Sequence, residues 1–338
     1  FLFKEPLLTF FGASPAIFPY ANEYMSWYLS GTVFALLSAG MNQFIICQGF
    51  AKVGMKSVVL GAVSNIVLDP IFIFYFNMGV KGAAIATVIS QMASCIYVLI
   101  FLFGKRPLVR ITFGGYRWNT MKQVLIVGLS AFLIIASDSL LIIVMNMVIS
   151  KFARPGDGDM LLTCNTIVQS FMLLITMPLG GITGGTQTVL GYNYGAGRPD
   201  RIRRAEKHIV VLGLVFTAVM FIIAQVGPGY FVRIFTRESS YVGITEWAIR
   251  IYTLCVIPLA VQYTVVDGFT GMGIAKVAVS LSMFRKLVYF LSMLFLPMVF
   301  GVEKVFFAEP ISDIIACMTS TATYLLLSGK VLGDHKRF

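Results

Sequence analysis

The sequence predicts an all-α integral membrane protein, built as a two-lobe helix bundle with about nine complete transmembrane helices. Of its 338 residues, 58% are hydrophobic and 12% are charged, whereas soluble domains carry about 25% charged residues. The mean hydropathy is +0.85. Successive apolar runs reach the roughly 20 residues that a spanning helix needs. They are far longer than the roughly 10-residue alternating strands of a membrane barrel.

In chain order, the apolar runs predict spanning helices at 20–48, 55–77, 80–103, 119–149, 160–190, 204–228, 242–270, 274–299 and 303–328. The longest polar connection, GKRPLVRITFGGYRWNTMK at 104–122, separates the first three from the other six. We therefore expect a partial N-lobe at 1–103, a cytoplasmic inter-lobe loop at 104–118, a C-lobe at 119–330 and a cytoplasmic tail at 331–338. Because the first residues resemble the end of a helix, the N-lobe is expected to lack its first two and a half helices.

The basic residues outside the helix interiors alternate between the two sides of the membrane. Connections on one side carry sixteen Lys and Arg residues, and those on the other side carry seven. The positive-inside rule places the richer side, and with it the C-terminus, in the cytoplasm. The net charge of +11 is therefore a topology signal in a multi-pass cell-membrane protein, with a secondary attraction to anionic lipids. Nucleic-acid binding is not expected.

The two halves of the chain carry a faint internal repeat. QGFAKVGMKS at 48–57 is echoed by DGFTGMGIAK at 267–276, and GVKGAAIATVIS at 79–90 is echoed by GVEKVFFAEPIS at 301–312. The copies have the same order and orientation, which indicates a parallel repeat about an axis along the membrane normal. Parallel lobes of this kind are typical of transporters, whose substrate sites lie near the midplane.

A carboxylate interrupts the apolar stretch SNIVLDPIFIF at 64–74. Asn65 and Asp69 share one helix face, and Thr87 faces them if the next helix returns antiparallel. A charge at the bilayer centre costs roughly 2.5–3.5 kcal/mol, and low dielectric favours the protonated carboxyl. Such a group can exchange H⁺ or hold Na⁺. Pro70 removes a backbone hydrogen bond and predicts a hinge. Alternatively, Asp69 caps a helix break at the membrane edge.

Further polar residues in the second lobe are candidates for lining a substrate or ion cavity: Asp138, Asn146, Asn165, Gln169 and Glu309. Asp138 and Asn146 lie eight residues apart on nearly one helix face, and Asn165 and Gln169 are four residues apart. Glu309 occupies the repeat position of Thr87. The alternative for this group is interhelical hydrogen bonding that holds packed helices together.

The sequence argues against an enzyme. The glycine-rich stretch GGITGGTQTVLGYNYGAGRPDRIRRA at 180–205 lacks the GxxxxGK[ST] phosphate-binding pattern, and we expect it to form a closely packing helix end. HExxH does not occur, and the two histidines, His208 and His335, lie in or near basic stretches. The five cysteines are single and lack CxxC spacing. No cofactor is expected, and no metal beyond Na⁺ at Asn65 and Asp69.

Three motifs together resemble the MATE (multidrug and toxic compound extrusion) transporters of the MOP flippase superfamily. They are NIVLDPIFIF, GVKGAAIATVISQ and GGTQTVLGYNYGAGRPDRIRRA, and the resemblance extends over essentially the whole chain. It implies twelve helices in two six-helix lobes. In DinF-like prokaryotic members an N-lobe ion site combines a helix 1 Asp with an NxxxD motif and a Thr. Here Asn65, Asp69 and Thr87 match the last three, and the helix 1 Asp is absent.

The resemblance also implies a function, namely secondary active efflux of bulky amphipathic or cationic compounds in exchange for H⁺ or Na⁺ by alternating access. The expected partners are drug-like small molecules and the lipid bilayer, and the expected state is a monomer. The alternative is a flippase for lipid-linked oligosaccharide or lipid on the same superfamily fold. A flippase would need a cationic central cavity, whereas the helix interiors hold Arg250, Arg285 and Lys286 as their only basic residues.

Overall fold

The structure, a computed structural model, describes residues 3–10, 18–112, 114–154 and 157–333, and these residues are predominantly helical. No strand occurs in these ranges. The chain forms two compact units, Phe1–Gly115 and Tyr116–Phe338. The division between them falls inside the predicted loop 104–118, and the assignment of lobes stays a prediction.

Among its described residues, the first unit contains four α-helices: α1 (Lys4–Phe10), α2 (Phe18–Cys47), α3 (Ala51–Pro70) and α4 (Gly79–Phe103). Helix α4 packs against both α2 and α3. Small residues make this close packing possible, because Gly31 lies against Val88 and Gly61 lies against Ser94. Small residues at helix contacts are typical of membrane bundles, in which backbones approach closely.

A π-helix, Ile71–Tyr75, continues α3 beyond Pro70. Pro70 has no N–H, so the carbonyl one turn earlier loses its usual donor. The hydrogen-bond pattern then lengthens, and the N–H of Phe76 bonds the carbonyl of Ile71 at 3.0 Å. The predicted hinge position therefore coincides with a change of helix type rather than a break. Single π-turns of this kind are frequent at functional sites.

The second unit contains eight α-helices: α5 (Trp118–Phe152), α6 (Gly158–Gly195), α7 (Pro199–Val226), α8 (Pro228–Phe235), α9 (Ser239–Tyr252), α10 (Val256–Gly271), α11 (Ala275–Phe300) and α12 (Ala308–Gly333). A 3₁₀-helix, Val302–Phe307, joins the last two. The core contains fully buried Ile149, Ile175, Leu259 and Phe306. In the glycine-rich end of α6, an added Cβ at Gly191 would lie 2.6 Å from the carbonyl oxygen of Gly271 on α10.

Two elements differ from the sequence prediction. The helix predicted at 242–270 is a pair, α9 and α10, bent by 48°. Pro258 explains the break, because its ring would clash with the carbonyl of Leu254 in a continuous helix, whereas it fits in the first turn of α10. The short helix α8 lies in a stretch that we predicted as a connection.

Within the described residues, eight helices are long and apolar enough to cross a membrane, and nine if the bent pair is one span. The prediction of an all-α, multi-pass bundle with about nine spanning helices is confirmed.

Candidate functional site

The first unit brings together the three residues predicted to bind the coupling ion. Asn65 on α3 donates from Nδ2 to Asp69 Oδ1 at 3.1 Å and to Thr87 Oγ1 on α4 at 3.5 Å. The four-residue spacing places the first pair on one face, and the antiparallel return of α4 supplies the threonine. Thr87 in turn donates to the Ala83 carbonyl at 2.9 Å. Ion binding by this triad stays a prediction.

A cavity of about 370 Å³ lies between α2, α3 and α4, next to two members of the triad. Asn65 and Thr87 line it with a row of small polar side chains: Ser38, Asn42, Ser90, Gln91 and Ser94. The oxygens of Asn65, Asp69 and Thr87 are of the hard type that alkali and alkaline-earth cations prefer. Across the described ranges, no group of three or more His, Cys, Asp or Glu side chains could hold a metal ion.

The second unit contains a cavity of about 270 Å³ whose lining includes Asp138, Gln169 and Glu309. These three belong to the five residues predicted to line a cavity there. Asn146 and Asn165 are not among its described lining residues. Instead Asn165 Nδ2 donates to Asn146 Oδ1 at 3.0 Å, the interhelical contact that the alternative interpretation expected. A role of either asparagine in transport stays a prediction.

Two basic side chains on α11 reach this cavity, and each meets carboxylates. Lys286 Nζ lies 2.6 Å from Asp138 Oδ1 on α5 and also contacts the Ile134 carbonyl. Arg285 bridges two carboxylates of α12, with Nη2 2.5 Å from Glu309 Oε1 and Nε 2.9 Å from Asp313 Oδ1. Glu309 and Asp313 are buried, so the two Arg285 pairs lie largely out of contact with solvent, whereas the Asp138 side chain is 57% exposed.

A tyrosine connects this ion-pair cluster to the polar residues of α6. Tyr252 at the end of α9 accepts a hydrogen bond from Gln169 Nε2 at 2.9 Å. Its hydroxyl lies 3.2 Å from the hydroxyl of Tyr289 and donates to Glu309 Oε2 at 3.3 Å. Glu309 at the cavity wall is therefore held in place at both carboxylate oxygens, one by Arg285 and the other by Tyr252.

Sequence reasoning missed Arg285, Lys286, Tyr252 and Tyr289 as site residues. A signal for the two basic residues was present, because charged side chains inside an apolar helix need partners. Their partners could not be identified from the sequence, since they lie on α5 and α12, more than twenty residues away along the chain.

The profile of the MatE family matches residues 1–71 and 135–295 of the chain. The chain is similar to the multidrug export protein MepA of Staphylococcus aureus (strain bovine RF122 / ET3-1), with 20% identity over 339 residues that cover 98% of this chain and 73% of MepA. It is also similar to MepA of Staphylococcus saprophyticus, with 21% identity over 338 residues that cover 98% of this chain and 72% of that protein.

Solved structures with the same fold include a MOP superfamily transporter from Pyrococcus furiosus, described as having a binding pocket of reverse polarity. The TM-score is 0.89 and the identity 22%, over 97% of this chain and 74% of that chain. An outward-facing multidrug resistance MATE family transporter of the MOP superfamily gives a TM-score of 0.88 at 22% identity, over 97% of this chain and 73% of that chain. At these identities the likeness shows a shared fold.

Proposed function

The chain belongs to the MatE family, and on that premise we propose that it is a secondary active multidrug efflux transporter. It exchanges H⁺ or Na⁺ for bulky amphipathic or cationic compounds by alternating access. Membership of this family makes it a membrane transport protein rather than an enzyme. The name of the relative MepA, a multidrug export protein, supports the drug class of the substrate.

The observation that carries the proposal is the contact of Asn65 with both Asp69 and Thr87 on two apolar helices. A carboxylate in such helices is costly, and its neutral partners supply no compensating positive charge. A proton or a sodium ion supplies that charge. A site of this kind binds a coupling ion reversibly, because the carboxylate keeps its hydrogen bond in both states.

The π-helix gives this ion site a route to conformational change. Asp69 precedes Pro70 directly, and the widened turn Ile71–Tyr75 follows. Neutralisation of Asp69 removes the cost of burying its charge, so the end of α3 can move deeper among its neighbours. Gly82 on α4 contacts the carbonyl of Phe72, and it transmits this movement to the adjacent helix.

The second-unit cavity favours a cationic substrate. Tyr252, Tyr263 and Tyr289 contribute to its lining, and aromatic rings attract organic cations through their π faces. The carboxylates of Asp138 and Glu309 reach the same cavity. Although two basic residues are also present, each is already paired with carboxylate.

The second candidate is a flippase for lipid-linked oligosaccharide or lipid. The observation that favours it is the presence of Arg285 and Lys286 at the cavity, where they could meet an anionic headgroup. Their pairing with the carboxylates of Asp138, Glu309 and Asp313 argues for the drug transporter, because an anionic ligand would have to displace three carboxylates.

The proposal includes the cellular setting. The protein is a multi-pass membrane protein, and we place it in the cell membrane as a monomer with a cytoplasmic C-terminus.

The experiment that tests the proposed function is transport by the full-length protein in proteoliposomes under imposed pH or sodium gradients. Tetraphenylphosphonium is the organic cation, and an undecaprenyl-linked lipid is the competing substrate. Gradient-driven movement of the cation supports the antiporter. Movement of the lipid alone, without a gradient, contradicts it.

A further inference from the structure

The ion-pair cluster of the second unit carries more negative than positive charge. Its members are Asp138, Arg285, Lys286, Glu309 and Asp313. Lys286 balances Asp138, and Arg285 balances either Glu309 or Asp313, so one carboxylate of the cluster has no cation of its own. An uncompensated charge in a low-dielectric interior is costly enough that the group usually changes its protonation state instead.

Asp313 is the carboxylate that the structure leaves incompletely satisfied. It is 0% exposed. Its Oδ1 accepts a hydrogen bond from Arg285 Nε at 2.9 Å, whereas its buried Oδ2 has no hydrogen-bond partner among the described residues. An ionised carboxylate offers about four acceptor positions. A buried oxygen without a partner costs more on a charged carboxylate than on a neutral acid, so this environment favours the neutral acid.

Glu309, in contrast, is supported as an anion. It receives the shorter contact of Arg285, at 2.5 Å to Nη2, and the hydroxyl of Tyr252 donates to its second oxygen at 3.3 Å. Glu309 also lines the cavity, while Asp313 lies one helical turn farther along α12. The two carboxylates lie four residues apart on one face of that helix and share one guanidinium, so a proton gained by one leaves Arg285 to compensate the other.

The other groups in and around the ion-pair cluster do not supply the missing charge. These groups are Arg285, Lys286 and Tyr289 on α11, Tyr263 on α10 and Tyr252 on α9. The thiols of Cys255 and Cys317 are also close by. Lys286 is engaged by Asp138 at 2.6 Å. The tyrosines and cysteines carry no positive charge in any state, so a proton is the simplest compensation.

We infer that Asp313 is a proton-binding site of the second unit, which exchanges its proton with the cavity through Glu309. The inference rests on the proposed antiport function and gives it a second proton site, separate from Asn65, Asp69 and Thr87. A cationic substrate in the cavity supplies the same single positive charge as the proton. Its arrival therefore permits release of the proton from Asp313, which is the exchange that antiport requires.

The test is infrared difference spectroscopy of the purified full-length protein in lipid, between acidic and alkaline buffer, with unlabelled or carboxyl-¹³C-labelled aspartate. The expected result is a carbonyl band of a protonated carboxylic acid that shifts on aspartate labelling and is lost in Asp313→Asn. The matched control Asp200→Asn, which changes an exposed aspartate at the start of α7, keeps the band. Addition of tetraphenylphosphonium to the unchanged protein also reduces it.

Retention of the whole band in Asp313→Asn overturns the inference. So does loss of a band that does not shift on aspartate labelling, because the proton then resides on Glu309. If Asp313→Asn does not fold, the similarly sized Asp313→Leu takes its place. The spectra require no transport, so a protein that moves no drug but shows the band refutes the proposed function and leaves the proton site in place.

Discussion

The side-chain amide of Asn65 lies 3.1 Å from the carboxylate of Asp69 one turn later on the same helix. This contact joins the only carboxylate of α3 to a neutral donor, and Thr87 extends it to α4. Because Asn65 and Thr87 are uncharged, we propose that the coupling ion controls the charge state of this site.

Replacing Asn65 with Leu removes the donor of Asp69 and leaves the apolar packing of α3 nearly unchanged. A hydrogen bond to a charged group contributes about 1.5–3 kcal/mol and favours the ionised carboxylate, so we expect at least a tenfold shift in the ion concentration for half-maximal transport, to a lower concentration where the coupling ion is H⁺. The measurement is the ion concentration for half-maximal transport in proteoliposomes. Thr87→Val is the comparison, and its effect should be smaller because its contact with Asn65 is longer, at 3.5 Å. An unchanged half-maximal concentration in Asn65→Leu contradicts the prediction.

Replacing Gly82 with Ala should destabilise the contact between α4 and the π-helix. The added Cβ would lie 2.7 Å from the backbone oxygen of Phe72, and overpacking of this kind costs about 1–3 kcal/mol. We expect a lower melting temperature of the detergent-solubilised protein. Gly40→Ala on α2 is the matched control, because its Cβ meets nothing within 4 Å. Equal melting temperatures for the two variants would show that α4 is not held against the π-helix.

Replacing Arg285 with Met should destabilise the second unit strongly. The change leaves the buried carboxylates of Glu309 and Asp313 without their shared cation, and loss of one partner of a buried pair costs about 3–5 kcal/mol. Arg250→Met is the control, because Arg250 is 46% exposed and 4.0 Å from Glu246, and such surface pairs contribute about 0–1 kcal/mol. Thermal unfolding measures both. Similar effects for the two variants would refute the structural role of Arg285.

Replacing Tyr252 with Phe removes one hydroxyl that contacts Gln169, Tyr289 and Glu309. The ring remains, so the cavity keeps its shape while Glu309 loses a donor. We expect roughly tenfold weaker binding of tetraphenylphosphonium, since a lost hydrogen bond to a charged group leaves Glu309 less well oriented. Equilibrium binding to the purified protein measures it. The control is Tyr230→Phe, at an 82% exposed position, which should bind tetraphenylphosphonium as tightly as the unchanged protein does. Equal affinity of Tyr252→Phe, Tyr230→Phe and the unchanged protein would contradict the role of Tyr252.

The first-unit site was predictable from the sequence because its geometry is local. The four-residue spacing of Asn65 and Asp69 fixes one helix face, and a short connection between α3 and α4 leaves only an antiparallel return for Thr87. The type of the helix after Pro70 was not predictable in the same way. A missing N–H permits a break, a kink or a π-turn, and the packing of Gly82 against the widened turn is a tertiary contact.

The second-unit site was predictable only in part, because its contacts join distant helices. Glu309 and Asp138 are recognisable as carboxylates in apolar runs, but their pairing with Arg285 and Lys286 depends on how α11 packs against α5 and α12. The break between α9 and α10 was missed for a different reason. Hydropathy does not register Pro258, which is apolar and yet incompatible with a continuous helix.

The most direct test of the proposed function is transport of tetraphenylphosphonium by full-length protein carrying Asp69→Asn, in proteoliposomes under an imposed pH or sodium gradient. Asn keeps the size and the hydrogen bond of Asp69 but cannot take up H⁺ or compensate Na⁺. We predict that gradient-driven transport is lost, while binding of the cation and the melting temperature stay near those of the unchanged protein. The exposed control Asp200→Asn retains transport. Full gradient-driven transport by Asp69→Asn would contradict the account.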